Sequence, residues 1–269
     1  MIDSAKPGLG SASGEARIPG GFDRIASHYG AGEYHRRRRD AVLVALSEEF
    51  ARARQVLDLG CGNGSFTTEL AKMANVTRLV GADRSQAMLE ETRARTQPAP
   101  LLVRNDMCWL PFRPAVFDLV LCSHVLIFAS DLARALSDIA RVLHPGGTLV
   151  ATLSPRGGLR SDLRAMMTAQ QWHHFEPLVF GAMTMEGEDA VDHNLYRRLY
   201  AAAGLEAVAV TVSFQIEFSH VEEWLTGQWL RRDGGTDREA ALAEIARLRE
   251  RIPAVLDLRE PLLIGRRCR

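Results

Sequence analysis

Lysine is nearly absent from this chain of 269 residues: it occurs only at Lys6 and Lys72, and the formal net charge at neutral pH is zero. A chain without a basic excess has no general field that attracts a polyanion, which argues against a large RNA or DNA substrate. The sequence also has no run of about 18 apolar residues, the length that a membrane-spanning helix needs. These absences favour a cytoplasmic protein that acts on small molecules.

Cysteine is scarce as well, with four residues in the whole chain: Cys61, Cys108, Cys122 and Cys268. No two of them form a C-x-x-C pair, and none has a histidine at the spacing of a zinc site. The sequence therefore predicts no metal site, and the cysteines fit a reduced cytosol.

The length allows one large domain, or one domain with a substantial insertion. A hydrophobic content of 46% and a charged content of 25% are close to globular averages, so composition alone excludes no class of folded protein. Residues 1–20 are rich in Gly, Ser, Ala and Pro and have no apolar stretch. We expect them to form a flexible tail and not a signal peptide.

A glycine-rich turn after a short apolar run is the most informative pattern in the chain. Gln55–Leu59 predicts a buried strand, Gly60, Gly62 and Gly64 follow it, and a helix is predicted from about Ser65. Glycine allows positive φ and a close approach of a ligand to the backbone, and the helix N-terminus offers unpaired N–H groups. The pattern predicts a site for a nucleotide-like cofactor. It departs from the dinucleotide pattern G-x-G-x-x-G, because Ser65 stands at the last glycine position.

The nine residues 56–64, Val-Leu-Asp-Leu-Gly-Cys-Gly-Asn-Gly, resemble motif I of class I S-adenosylmethionine-dependent methyltransferases. The resemblance extends from Phe22 to Leu153, with a weaker similarity beyond, and is greatest to cores of the ubiquinone and menaquinone methyltransferase type. It implies an α/β, Rossmann-like, doubly wound fold: a seven-stranded, mostly parallel sheet with an antiparallel last strand and a lid insertion. It also implies S-adenosyl-L-methionine as the cofactor.

The same resemblance divides the chain. Residues 21–153 and 194–269 would form the methyltransferase core, with the last strand predicted over Pro261–Arg267. Residues 154–193, together with 219–253, interrupt the alternation of strands and helices, and we expect them to form a lid that binds the methyl acceptor.

Asp83 ends the second predicted strand, where a carboxylate can accept hydrogen bonds from both hydroxyls of a ribose. The resemblance implies further cofactor contacts, among them Asp106 near the adenine amino group. Tyr29 is either a lid contact or a packing residue, and Met88 either flanks the adenine or belongs to the core. The predicted cofactor residues are Tyr29, Asp58, Gly60, Cys61, Gly62, Asn63, Asp83, Arg84, Met88, Asn105, Asp106, Met107, Ser123 and His124.

Two histidines are candidates for the general base of the reaction. His124 follows the fourth predicted strand, near the expected position of the sulfonium methyl, and His173 lies in the predicted lid beside His174. Each of them has a structural role as the alternative. The Trp, Phe, Met and His residues of the lid favour a small aromatic or partly apolar acceptor. Methylation at oxygen is our first hypothesis, with carbon or nitrogen next.

Two other functions stay open. Arg36–Arg39 would serve a tRNA-modifying methyltransferase, although four successive arginines on a helix point in four directions and are typical of a solvated face. A methyltransferase-fold protein that binds the cofactor without transferring methyl is the second. The expected partner is a small-molecule acceptor, with no nucleic acid or membrane, and the sequence leaves a homodimer open.

Overall fold

A seven-stranded sheet forms the centre of the protein, in the order β3-β2-β1-β4-β5-β7-β6. Neighbouring strands are parallel except for β7, which runs antiparallel to both β5 and β6. This sheet confirms the predicted doubly wound, Rossmann-like fold with an antiparallel last strand. The strands are β1 (Gln55–Leu59), β2 (Arg78–Asp83), β3 (Leu101–Arg104), β4 (Phe117–Cys122), β5 (Leu143–Thr152), β6 (Leu205–Glu217) and β7 (Val255–Arg267).

Ten α-helices lie in the part of the chain that the computed structural model describes, which is residues 22–27, 29–30, 32–152, 159–179, 193–230 and 238–269. The predicted tail and the 154–158, 180–192 and 231–237 parts of the predicted lid lie outside these residues. The helices are α1 (Glu33–Ala45), α2 (Ser47–Arg52), α3 (Ser65–Leu70), α4 (Gln86–Arg95), α5 (Leu132–Val142), α6 (Leu159–Ala165), α7 (Ala169–Val179), α8 (His193–Ala202), α9 (Phe218–Leu230) and α10 (Arg238–Leu248).

The central strands of the sheet are buried on both faces, and β1 shows how its sequence achieves this. Leu57 and Leu59 pack into one apolar cluster with residues of α5 and α8, whereas Val56 packs into the opposite cluster with residues of α1, α2 and α3. Side chains alternate between the two faces of a strand, so a strand covered on both faces has a nearly continuous apolar sequence. This packing fixes the carboxyl ends of β1, β2 and β4 at one edge of the sheet.

Two strands are longer than their sequences predict. β5 begins at Leu143, which pairs with Phe117 of β4. The register of the two strands then shifts, and their regular pairing resumes at Thr148. β7 begins at Val255 and not at Pro261, since it pairs with β6 along the whole length of that strand. The extra residues of β7 alternate between exposed and buried positions, which the prediction of a short strand missed.

A third apolar cluster covers the outer halves of β6 and β7. Helices α6, α7, α9 and α10 bury residues there against Ile216, Leu256 and Leu258 of the two strands. Asp162 of α6 accepts hydrogen bonds from the backbone N–H and the guanidinium of Arg259 on β7. The described parts of the predicted lid form this cluster, whereas its role in binding an acceptor stays a prediction.

Candidate functional site

The glycine turn after β1 forms one wall of a cleft at the carboxyl edge of the sheet. Gly60, Gly62 and Gly64 all have positive φ, at 72°, 57° and 84°. A Cβ atom on Gly60 would lie 2.3 Å from Cγ2 of Val125, so no larger residue fits there. The backbone N–H groups of Gly60 and Cys61 both donate to the carbonyl of Ala82, which holds the turn against β2.

Asp83 connects this turn to the next helix from the end of β2. Its Oδ2 accepts a hydrogen bond of 2.9 Å from the Gly62 N–H, and its Oδ1 accepts one of 2.9 Å from the Ser85 N–H. Burial raises the pKa of Asp83, and hydrogen bonds from the backbone N–H groups of Ser85, Gly62 and Arg84 oppose that rise. The carboxylate lines the cleft, where it can accept a hydrogen bond from a hydroxyl of a ligand.

Asp58 is a second buried carboxyl at the base of the cleft. It lies on β1, 2% exposed, and its Oδ2 accepts a hydrogen bond of 2.5 Å from the hydroxyl of Thr67 on α3. Burial raises the pKa of Asp58 to about 7; the Thr67 hydrogen bond lowers it, and the charge of Asp83 raises it further. The cleft therefore contains a carboxyl group that titrates near neutral pH.

The residues that follow β3 differ in whether they line the cleft. Asn105 and Met107 line it, and the Oδ1 atom of Asn105 is buried without a hydrogen-bond donor among the described residues. The carboxylate of Asp106 instead accepts from the Cys108 N–H at 2.8 Å, and Asp106 is not among the residues that line the cleft. Asp106 therefore lies outside the cleft because a local turn uses its side chain, whereas Asn105 lines the cleft with a buried amide oxygen.

An aromatic segment ahead of α1 covers the cleft. The rings of Phe22 and Tyr29 meet edge to face with centroids 5.6 Å apart, and Phe22 meets Phe128 in the same way at 5.2 Å. The side chain of Asn63 in the glycine turn donates to the carbonyl of Tyr29. Tyr29 therefore lies over the turn, and its contact with a cofactor stays a prediction.

A carboxylate fixes the start of this segment. Asp23 accepts hydrogen bonds from the Ser85 hydroxyl at 2.5 Å and from the Ala87 N–H at 3.1 Å. The pKa of Asp23 is lowered, chiefly by the Ser85 hydrogen bond. The Ser85 hydroxyl also caps α4, since it accepts from the Met88 N–H. Sequence reasoning missed Asp23, Phe22 and Phe128, because only folding brings them to the carboxyl edge of the sheet.

His124 follows β4 directly and lines the cleft together with Ser123. Its φ is 56°, a rare value for a residue with a side chain, and its backbone N–H donates to the Thr152 hydroxyl at 2.6 Å. Its Nε2 atom lies 2.9 Å from Oε1 of Glu260 on β7. No pattern in the sequence indicates Glu260, which lies far along the chain from His124.

His173 does not share this position. It is exposed on α7, which buries Trp172 and Phe175 in the third apolar cluster, and it is not among the residues that line the cleft. Its neighbour His174 is also exposed, and its Nε2 lies 3.4 Å from Glu244 of α10. We therefore do not retain His173 as a candidate base.

The cleft brings together all the predicted cofactor residues except Asp106. It also contains residues that the sequence did not indicate, among them His35 and Arg38 of α1. The remaining lining residues are mostly apolar. The members that were not predicted are Phe22, Gly30, His35, Arg38, Leu59, Ser65, Phe66, Ala82, Val125 and Phe128.

Comparison with known proteins places this geometry in a family. Residues 57–151 match the family described as methyltransferase domain. A malonyl-acyl-carrier protein O-methyltransferase of Legionella pneumophila is 35% identical over 129 residues, covering 47% of this chain and 45% of the relative. A demethylmenaquinone methyltransferase of Deinococcus radiodurans is 35% identical over 116 residues, covering 42% of this chain and 47% of the relative. The chain thus matches about half the length of these curated relatives.

Solved structures match over a larger part of the chain. The N-methyltransferase NodS of Bradyrhizobium japonicum, crystallised with S-adenosyl-L-homocysteine, has a TM-score of 0.52 and 16% identity, and the match covers 93% of this chain and 98% of NodS. At this identity the likeness concerns the fold alone. No helix among the described residues has the length and hydropathy to cross a membrane.

The cleft fits a nucleoside-type cofactor in three respects: a turn of positive-φ glycines, a carboxylate that lines the cleft at the end of β2, and a buried amide oxygen at Asn105 without a donor among the described residues. The sheet order, the glycine turn and the matched residues 57–151 agree with one another. Residues 57–151 thus match a methyltransferase domain, and the fold and the cleft around them agree with S-adenosyl-L-methionine as the cofactor.

Proposed function

We propose that this protein transfers the methyl group of S-adenosylmethionine to an oxygen atom of a small aromatic or partly apolar acceptor. The observation that carries the proposal is the position of His124: a buried imidazole in the cleft wall, at the end of β4, in ion-pair contact with Glu260. A hydroxyl acceptor must lose a proton as it attacks the methyl group, and histidine is suited to receive it near neutral pH.

The chain's own residues would hold the nucleoside half of the cofactor. Asp83 offers both carboxylate oxygens to the ribose hydroxyls, and Asn105 offers its buried Oδ1 to the adenine amino group. Met88, 1% exposed and part of the cleft lining, would pack against the adenine ring. Arg84 and Met107, which also line the cleft, complete this set of proposed contacts.

The methionine half would lie along the glycine turn, near Asp58, Cys61 and Asn63, with Ser123 and His124 beyond it. Bound S-adenosylmethionine supplies an electrophilic methyl group on a sulfonium. The rings of Phe22 and Tyr29 would exclude water above it, so that the acceptor oxygen and not water attacks. Positioning of this kind accounts for much of the catalysis of a direct displacement.

One curated relative supports the choice of oxygen. The Legionella pneumophila relative, whose match covers 47% of this chain, is named an O-methyltransferase. The proposed aromatic or apolar character of the acceptor rests on the rings Phe22, Tyr29 and Phe128 at the cleft.

The arginine run gives little support to a tRNA substrate. The guanidinium groups of Arg36 and Arg37 contact the carboxylate of Glu33, and that of Arg39 contacts Asp40. Two carboxylates on the same helix thus pair with three of the four guanidinium groups and offset two of the four charges, which weakens any field that would attract a phosphate backbone. A tRNA enzyme would still be recognised by binding that falls steeply with added salt.

The test begins with calorimetry of S-adenosylmethionine, S-adenosylhomocysteine and NAD against the purified protein. We expect the first two to bind at micromolar concentration and NAD not to bind. Methyl transfer is then followed by mass spectrometry across phenols, carboxylic acids, amines and a tRNA pool, with Asp83→Asn as the control for the cofactor site.

Methylated phenols or carboxylates would support the proposal, and their yield should fall by about 10²–10⁴-fold in His124→Asn with little change in cofactor affinity. Binding of NAD alone, or of no nucleotide, would refute the cofactor assignment. Cofactor binding without transfer to any member of the panel would instead favour a protein that binds the cofactor for another purpose.

A further inference from the structure

A buried carboxylate lies directly behind the part of the cleft wall that His124 forms. The side chain of Glu260 is 1% exposed, and its Oε1 lies 2.9 Å from Nε2 of His124, whose side chain is 5% exposed. Among the described residues neither oxygen of Glu260 accepts a hydrogen bond. A carboxylate removed from water in this way is costly unless a positive charge is close to it. His124 is in position to supply that charge.

The other charged groups near His124 and Glu260 either pair with other residues or line the cleft. Arg259, the neighbour of Glu260 on β7, holds Asp162 of α6. From α1, Tyr34 is buried near the pair: burial raises its pKa, the charge of Arg38 lowers it, and the charges of Glu260 and Asp162 raise it. Thus Asp162 and Arg259 offset each other, and Arg38 faces the cleft.

Two contacts hold His124 in place. Its backbone N–H donates to the Thr152 hydroxyl, at a residue whose φ is 56°. Its Nε2 atom lies 2.9 Å from Oε1 of Glu260. A carboxylate behind the imidazole favours the tautomer with the proton on Nε2 and stabilises the imidazolium that forms after proton transfer.

We propose that Glu260 is a positioning residue that orients His124 and stabilises its protonated form. This inference rests on the proposed function. In the step, the acceptor O–H proton moves to the imidazole of His124, a bond forms between the acceptor oxygen and the methyl carbon, and the carbon–sulfur bond breaks with its electron pair going to sulfur. Glu260 touches neither the acceptor nor the cofactor.

Nitrogen-15 spectra of histidine-labelled protein test the pairing without any acceptor, with the His124 signals assigned by their loss in His124→Asn. We expect the neutral His124 of the wild type to carry its proton on Nε2. In Glu260→Gln, which keeps the shape and removes the charge, the protonation midpoint of His124 should fall to lower pH. Neutral His124 with its proton on Nδ1 in the wild type would overturn the proposal even if the variant fails to fold.

The matched control is Asp162→Asn, which removes another buried carboxylate of the same region, one that contacts Arg259 and not His124. We expect Glu260→Gln to lower turnover at least about tenfold, part of the roughly 10²–10⁴-fold due to a general base. S-adenosylhomocysteine affinity should stay within about twofold, and the control should leave the His124 midpoint unchanged.

An unchanged midpoint in Glu260→Gln, or an equal fall in Asp162→Asn, would overturn the role of Glu260. The acceptor panel tests the proposed function, and the spectra test the role of Glu260, so one of these proposals can be refuted without the other. Absence of methyl transfer in the wild type refutes the proposed function, whereas an unpaired His124 in an active wild type refutes only this inference.

Discussion

Replacing Asp58 by Asn should make the protein more stable at pH 8. Burial raises the pKa of Asp58 to about 7 from its ordinary value of 3.8. Each pKa unit corresponds to about 1.4 kcal/mol, so ionised Asp58 costs the native state on the order of 4 kcal/mol at high pH. Asparagine has the same shape, carries no charge and retains an oxygen for the Thr67 hydroxyl.

The direction of the pH dependence follows from proton binding. Between about pH 4 and pH 7 the folded chain keeps the Asp58 proton and the unfolded chain loses it. The free energy of unfolding therefore falls as the pH rises through this window, and above it the loss is complete. About 3 kcal/mol of the total falls between pH 5 and pH 8, because about two pKa units of the shift lie in that range.

Equilibrium urea unfolding of wild type and Asp58→Asn, followed by tryptophan fluorescence from pH 5 to pH 8, measures this difference. Other titrating groups act on both proteins, so only the difference between the two free energies of unfolding reports Asp58. We expect it to grow by about 3 kcal/mol in favour of the variant across the range. A difference that does not change with pH would refute the assignment of a neutral-range carboxyl at this position.

Three further substitutions test the cleft and the third apolar cluster. Gly60→Ala should lower the free energy of unfolding by at least about 2 kcal/mol in urea, from the clash with Val125 and the positive φ; wild-type stability would contradict this geometry. Asp83→Asn should weaken calorimetric binding of S-adenosylhomocysteine by about 1–3 kcal/mol, and unchanged affinity would exclude a ribose contact. Arg259→Met should cost about 1–3 kcal/mol in urea by leaving Asp162 without its guanidinium partner; no loss would make the pair energetically neutral.

The cofactor side of the cleft was predictable because its residues follow strands directly in the sequence. Gly60, Asp83, Asn105 and Ser123 each come at or just after the end of a parallel strand, and those ends meet at one edge of the sheet. Apolar runs indicated the strands, and glycine indicated the turn. Asp106 was the exception, because whether a carboxylate faces a ligand or its own backbone depends on local turn geometry.

The other side of the cleft was not predictable in the same way. Glu260 faces His124 only because β7 inserts between β5 and β6, and its own sequence surroundings resemble an ordinary exposed charge. Phe22 and Arg38 reach the cleft from segments that precede the sheet, and their positions depend on the packing of α1 and of the residues before it. Contacts between residues distant in sequence leave no local pattern to read.

The adjacency of Arg259 and Glu260 has a consequence for exchanging helices α6, α7, α9 and α10 with those of a related protein. Successive side chains of a strand point to opposite faces, so one residue of β7 anchors helix α6 while the next one contacts the imidazole of His124. A recombinant protein that receives a foreign set of these helices must therefore keep a carboxylate opposite Arg259, or the register of β7 loses an anchor next to His124. The natural junctions for such an exchange lie outside β7, not within it.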